Sequence, residues 1–561
     1  MRASQRPLTL LIATAALGCG EVEEGNAPPL PGASGTSGVS AGPGGPPLPD
    51  PTAATAGSDG TPAHCRSHDQ DAPTSTGSTT DDGGFKFDVG APDGGVTFEF
   101  GCDEADAFST NLGCEFWAVD LPNDDRGTFM SPPAADQQFS VAVGNPSGLA
   151  AAQIDVYLPG EEIPFAMALV EPRQTHTFTL PSASIEPNFG TADGLAYRIS
   201  SNTPIVAYQF NPLDNTTEVY SNDASLLLPT HALGDDYVAV TGSAILLSQG
   251  PADTSPRNAG AFVSVIATQD GTQVEIEPTA PLAGGTTKTK VMGEGQVWTI
   301  ISTQGTGETG NLSGTRVTAN APVAVFAGNV ATIEPLEAGE CCADHLEHQL
   351  SPRTAWSSRY AVAPPPSVAG DGGDDPALYR ITGSFNGTQL LYCPAKPDGA
   401  PTQIDAGETL EFQTDDPFTI ASADPEHAFG LAQFLLSNQL LPGEGVGDPA
   451  MMVVPSALQF ESRLAFVVPA GYIETHISVV AQGSGTVTLN GDDIPDKSFT
   501  PLGVLDGEPF RYAQLPVDEG QHIIEARGRV GVSVFGYDEA VSFAYPGGAG
   551  LRVVSVPPAA G

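Results

Sequence analysis

A chain of 561 residues has room for three to five domains, and its 67 acidic against 21 basic side chains give a formal net charge of −46. A surface this negative repels phosphate backbones, which excludes a nucleic-acid partner and favours cations or basic protein surfaces. The excess is no tail effect, since residues 85–561 alone hold 58 acids and 18 bases, and 65 Gly with 51 Pro leave little room for long helices.

The N-terminus carries Arg2 and Arg6, then a mostly apolar run from Leu8 to Leu17 that is too short to span a bilayer. A charged start, a short apolar core and small residues before a cut describe a secretory signal over 1–18. Ala16-Leu17-Gly18-Cys19 resembles the bacterial lipoprotein lipobox, with Ala where Leu is commoner. That resemblance makes Cys19 the expected lipidation site, and implies an exported protein anchored by lipid at the bacterial outer membrane or cell surface. Residues 19–84 are rich in Gly, Pro, Ser and Thr and contain no Phe, Trp or Tyr. Such a segment cannot bury enough apolar area to fold, so it reads as a disordered tether with a mean span of about 45 Å.

Beyond the tether the chain repeats itself. Pro204-Ile205-Val206-Ala207-Tyr208 is echoed by Pro322-Val323-Ala324-Val325-Phe326 and by Gly531-Val532-Ser533-Val534-Phe535, with Pro417 taken as the third copy. Asp270-Gly271-Thr272-Gln273-Val274 matches Asn386-Gly387-Thr388-Gln389-Leu390 and Gly485-Thr486-Val487-Thr488-Leu489, and Gln153-Ile154-Asp155-Val156 is a degraded first copy. Pro229 with Tyr237, Pro352 with Tyr360 and Pro455 with Leu464 form a further set, as do Gly295-Gln296, Gly407-Glu408 and Gly520-Gln521. A period near one hundred residues is that of a small domain rather than a solenoid turn. The expected modules span 85–220, 221–335, 336–440 and 441–561.

Alternation such as Phe262-Val263-Ser264-Val265-Ile266, with turn dipeptides such as Asp270-Gly271 and Asn490-Gly491 between, predicts short strands throughout. The fold class expected is all-β, with tandem antiparallel β-sandwich-like modules; a β-propeller built from paired blades is the alternative. Short helical turns are expected near 343–350 and 450–458.

Six cysteines besides Cys19 are disulfide candidates in an exported chain: Cys65, Cys102, Cys114, Cys341, Cys342 and Cys393. Cys102 and Cys114 can close a short loop, and Cys393 is expected to pair with one of the adjacent Cys341 and Cys342. The segment Cys341–His348 is the densest cluster of potential ligands and has no counterpart elsewhere. Its Asp344, His345, Glu347 and His348 form the candidate functional loop. On a helix, His345 and His348 would share a face, a weak zinc pattern that departs from HExxH. Asp371, Asp374 and Asp375 offer oxygens for calcium without an EF-hand loop, so no cofactor is expected, with Ca or Zn as weakly supported exceptions. Gly38-Val39-Ser40-Ala41-Gly42 and Gly305–Gly310 match nucleophile-elbow and dinucleotide patterns, but lack the strand and helix that those sites require.

Gly113-Cys114-Glu115-Phe116-Trp117-Ala118-Val119-Asp120, and Asp344-His345-Leu346 followed by Gln349-Leu350, Pro352, Trp356 and Tyr360, are the residues that place the chain. With the Pro-Val strands they resemble the N-terminal region of IgGFc-binding proteins over about 100–545. The resemblance implies a non-enzymatic binding module with an extracellular protein or glycan as partner, and carries over no catalytic residue and no particular ligand. Adhesion or ligand capture at the cell surface is the expected function. An extracellular metal-assisted hydrolase and a structural surface component are the alternatives.

Overall fold

In three of the four repeats along the chain one long strand acts as the hub of an antiparallel sheet, and in the other the hub is broken in two. The computed structural model describes residues 62–67, 98–108, 110–125, 133–181, 194–213, 221–247, 257–283, 288–303, 309–336, 343–369, 373–441 and 446–557. The readings on Cys19, on the signal and on residues 38–42, 341, 342 and 371 lie outside them, as do most of the tether and of Gly305–Gly310. In the first repeat the hub is Tyr197–Phe210. Its first half pairs with Gly113–Ala118 and Ala152–Tyr157, its second half with Phe139–Gly144 and Ala224–Leu226. The second hub, Arg316–Thr332, is wired in the same way to Gly234–Val238, Thr272–Glu277, Ala261–Ala267 and Asp344–Gln349. The fourth, Gly520–Asp538, repeats it with Glu461–Val468, Val487–Leu489, Glu474–Gln482 and Val541–Pro546. In the third repeat the hub is broken into Phe418–Ser422 and Phe429–Leu435, yet each half keeps its partners. The fold is all-β and antiparallel, as the alternating pattern requires.

The wiring moves two markers. Tyr237 donates its hydroxyl to the carbonyl of Val323 at 2.8 Å, and Tyr360 donates to that of Phe429 at 2.6 Å. Val323 follows Pro322, so the third copy of the Pro-Val strand begins at Ala428, not at Pro417, which opens the other half of the broken hub. Gly520-Gln521 likewise lies on a hub. The counterpart of Gly295-Gln296 and Gly407-Glu408 is Gly507-Glu508, where all three glycines turn with positive φ, at 72°, 76° and 81°.

The last strand of each repeat lies on a common axis. Ala224–Leu226 packs against Asp344–Gln349, which packs against Met451–Val453, then Val541–Pro546, then Ala224–Leu226 again. Four repeats thus close into a ring, each giving one strand to its centre. Apolar burial seals every joint. Phe116 and Phe139 share a core with Phe262 and Phe326; Leu346 packs with Phe434 and Met451; Ala361 and Ala363 with Phe460 and Phe510; Val206 and Tyr208 with Phe466 and Tyr545. Each large apolar side chain among these contributes about 1.5–3 kcal/mol when buried, so apolar packing holds the joints as well as the repeats. The ring closes where Asn111 donates its backbone N–H to Ala549 at 3.1 Å, beside a bridge between Thr110 and Gly550. Proline ends the ring strand at close quarters, since a Cβ on Gly113 would meet Pro229 at 2.3 Å and one on Gly234 would meet Pro352 at 2.6 Å.

Cys102 and Cys114 form the expected disulfide. Cys393 bonds Cys65 rather than Cys341 or Cys342, and so fastens the segment 62–67 to the third repeat. The expected helical turn at 343–350 is instead the strand Asp344–Gln349, because its backbone completes the ladder of the second hub. Near 450–458 a strand, Met451–Val453, precedes one 3-10 turn, Ala457–Gln459. Among the described residues, no helix is long and apolar enough to cross a membrane.

Candidate functional site

The segment singled out by its chemistry lies at the heart of the ring. Asp344, His345, Glu347, His348 and Gln349 are all at most 3% exposed. A strand has a two-residue side-chain period, so His345 and His348 point to opposite faces, and the helical zinc pattern is not formed. His345 instead shares a face with Glu347, whose Oε2 is 3.4 Å from its Nε2, and stacks on Phe262 at 5.9 Å between ring centroids. Glu347 accepts a further bond from Gln209 Nε2 at 3.2 Å.

Burial sets the charges here. Desolvation lowers both His345 and His348 to about 3, and raises Glu347 well above the ordinary carboxyl range. The His345–Glu347 contact has ion-pair geometry, but both shifts favour the uncharged forms, and desolvation is the larger effect on each. It is a hydrogen bond between neutral groups rather than a salt bridge. Asp344 is raised by burial first and then by Asp448 and Asp223 nearby. Its Oδ1 accepts from the backbone of Asn222 at 2.6 Å and of His345 at 2.7 Å. Asp223 is raised too, although it accepts bonds from the backbone of Ala224, Glu347 and Met451 that favour its anion. Gln349 Oε1 takes the N–H of Leu228 at 2.7 Å, and its own N–H goes to Ser225 Oγ at 2.7 Å. These groups tie ring strands together.

A cavity of about 30 Å³ lies on the axis, lined by Leu226, His348, Gln349, Val453, Pro546 and their neighbours. It suits water, not a metabolite, since ligand pockets run to roughly 300 Å³ and more. Asp374 accepts bonds from Tyr512 and Gln514 at 2.8 Å, and Asp375 from the backbone of Val368 at 2.8 Å, so both serve the packing between the third and fourth repeats and within the third. His64, Cys65 and Cys393 form the one group with metal-ligand spacing among the described residues, and there the two sulfurs are already bonded to each other.

An accessible feature escaped the reading of motifs. Ile163, Phe165, Met167 and Leu169 are 79%, 49%, 62% and 62% exposed, in a row along the strand Ala166–Val170 and its approach. Register with Ala152–Tyr157 sets Met167 beside Asp155 and Leu169 beside Gln153. The signal was present in Ile163–Val170, where both alternating sets are apolar although a sheet edge has only one inner face.

The sequence profile described as IgGFc binding protein matches residues 223–536, more than half of the chain, from the first ring strand to the fourth hub. The human IgGFc-binding protein is 26% identical over 369 residues, which cover 64% of this chain and 6% of that protein. This chain therefore matches only a small part of the length of that relative. Among solved structures, an anti-sigma factor domain-containing protein from Clostridium clariflavum aligns at 8% identity with a TM-score of 0.10, over 69% of this chain and 94% of that one. Two B repeat units of the collagen binding protein of Staphylococcus aureus align at 9% identity with a TM-score of 0.09, over 71% and 93%. Scores this low carry no argument.

Proposed function

We propose that this chain, which belongs to the IgGFc-binding protein family, is an exported binding protein that captures an extracellular protein or glycan at the bacterial cell surface. Family membership is the observation that carries this reading. The burial of Asp344, His345, Glu347 and His348 supports it, because groups sealed at 3% exposure or less offer a substrate no approach. A closed ring is a stiff body whose loops and sheet edges face outward, and rigid scaffolds with peripheral contact surface suit recognition. Lipidation at Cys19 and a tether over 19–84 would hold that body off the membrane, in keeping with adhesion.

The test uses the full chain immobilised on a biosensor, with human IgG Fc, a purified mucin glycoprotein and a glycan array as probes. IgG Fc is included because the human relative bears its name. Saturable binding to one of these classes is the expected result. Absence of binding across all three, together with hydrolysis of a glycan or peptide substrate, would overturn it. Palmitate labelling that survives Cys19→Ser would remove Cys19 as the lipid-bearing residue, and no labelling of the parent would remove the lipid anchor from the proposal.

A further inference from the structure

The four repeats supply an internal comparison at their outer edges. The strand Ala166–Val170 pairs with Ala152–Tyr157 on one side and with no other strand among the described residues. Its counterparts are Thr289–Met292, Gln403–Ile404 and Asp492–Asp493. Two of those are only two residues long and expose only polar side chains, Gln403 in one and Asp492 with Asp493 in the other, and the third exposes Thr289 and Val291. Short, polar edges are how sheets avoid stray pairing. The first repeat departs from this with a longer edge that exposes Phe165, Met167 and Leu169 at every second position. An edge left long and apolar on one repeat of four marks an interaction surface rather than a fold requirement.

Its surroundings select the partner. Glu161 and Glu162 precede the stripe and Glu171 follows it, all exposed, and Asp155 lies beside Met167. Arg198 on this sheet face is engaged by Glu115 at 3.4 Å and lies over Tyr157, and Arg173, two residues past Glu171, sits with Glu99 beside Gly148. The surface is thus apolar at its centre and acidic at both ends. A second copy fits it poorly, because antiparallel pairing about the middle of 163–170 would set Glu162 against Glu171, and like charges directly opposite destabilise.

We infer that the strand Ala166–Val170 docks an extended peptide segment of a partner, one that carries apolar residues at every second position through its middle and Lys or Arg at both ends, and that adds a strand to this edge. Main-chain hydrogen bonds would supply affinity, Phe165, Met167 and Leu169 would receive the apolar side chains, and the flanking acids would meet the basic ones. The inference deepens the binding role proposed above and rests on it.

The probe is a fluorescein-labelled ten-residue peptide with alternating Val and Thr through its middle and two Lys at each end, titrated with the full chain and followed by anisotropy. Saturable binding is expected, weakened at least tenfold by Met167→Thr with Leu169→Thr, a β-favouring pair that keeps the strand. Val291→Thr should leave it unchanged, and the same peptide with Glu in place of each Lys should not bind. The inference is overturned if the Lys-flanked peptide fails to bind, if a peptide of the same composition with its Val residues contiguous binds equally, or if the double variant binds as well as the parent. Sedimentation that reveals a dimer lost in the double variant also overturns it, in favour of a second copy. A double variant that still captures the biosensor ligand, with no peptide binding by the parent, sinks this surface and leaves the binding role standing.

Discussion

Asp223 Oδ2 accepts the backbone N–H of Glu347 at 3.0 Å, across the joint between the first and second ring strands. The same oxygen takes the N–H of Met451 at 3.1 Å, from the third ring strand. One carboxyl, fully buried, therefore joins three of the four strands on the axis. Asp223→Ala leaves both N–H groups without an acceptor and should cost about 2–4 kcal/mol. Asp223→Asn keeps an acceptor oxygen and should cost less. Urea unfolding of the two variants checks this; an Ala variant as stable as the parent would contradict it.

Arg380 makes the corresponding tie between the second and third repeats. Its Nη2 is 2.9 Å from Glu334 Oε2, both side chains are at most 5% exposed, and its guanidinium lies over Phe434. Burial opposes the charge on Arg380, but Glu334 and Glu411 outweigh it and raise the group. Arg380→Met should cost about 3–5 kcal/mol, mostly from the carboxylate left alone. Adding Glu334→Leu should recover part of the loss. A double-mutant cycle by chemical denaturation measures the coupling, and additive losses would refute it.

Stability should depend on pH in two opposed ways. His345 and His348 fall to about 3 in the folded chain, so an unfolded chain takes up more protons below 6.5. Their contribution is present above 6.5 and is lost as pH falls toward 3. Asp223, Asp344 and Glu347 are raised, so theirs is full below the ordinary carboxyl range and is lost as pH rises. Asp344→Asn removes one group of the second kind. Its Tm relative to the parent should improve from pH 5 to pH 8 at constant ionic strength. A difference that is flat or declines over that range would show that Asp344 does not titrate as its burial requires.

The Cys65–Cys393 bond holds the segment 62–67 against the third repeat, where His64 Nε2 also lies 3.2 Å from the carbonyl of Tyr392. Reduction, or Cys65→Ser, should free this segment while the ring stays folded. Hydrogen exchange should rise in 62–67 and remain low in the hubs. Any stability lost is expected at about 2–4 kcal/mol or below. Broad exchange across the third repeat would mean that the bond supports the fold itself.

Much of this protein could be read along its length. Alternation foretold strands because a sheet has two faces, and Asp270-Gly271 and Asn386-Gly387 foretold turns because Gly271 and Gly387 adopt positive φ. The repeat was legible because each copy keeps the same local wiring. Its third copy was misplaced, since Pro417 imitates the marker while the break in the hub, between Ser422 and Phe429, has no local signature.

The fate of Asp344–Gln349 shows where local reading stops. By itself this stretch of Asp, His, Glu and Gln looks like a wet, ligand-bearing loop. The second hub offers it a ladder, and Asp223, Ser225 and Gln209 offer its polar groups partners from another repeat. Partners 120 or more residues away draw this polar sequence into a buried strand by satisfying part of it, although Asp344 Oδ2, His348 Nδ1 and Gln349 Nε2 find no hydrogen-bond partner among the described residues. The amino-acid sequence by itself determined the strands, their turns, the repeat and the family. Closure into a ring, the Cys65–Cys393 pairing and the burial of the His-Glu pair were decided by tertiary structure alone. Each depends on which surfaces meet across the chain, and no local pattern encodes that.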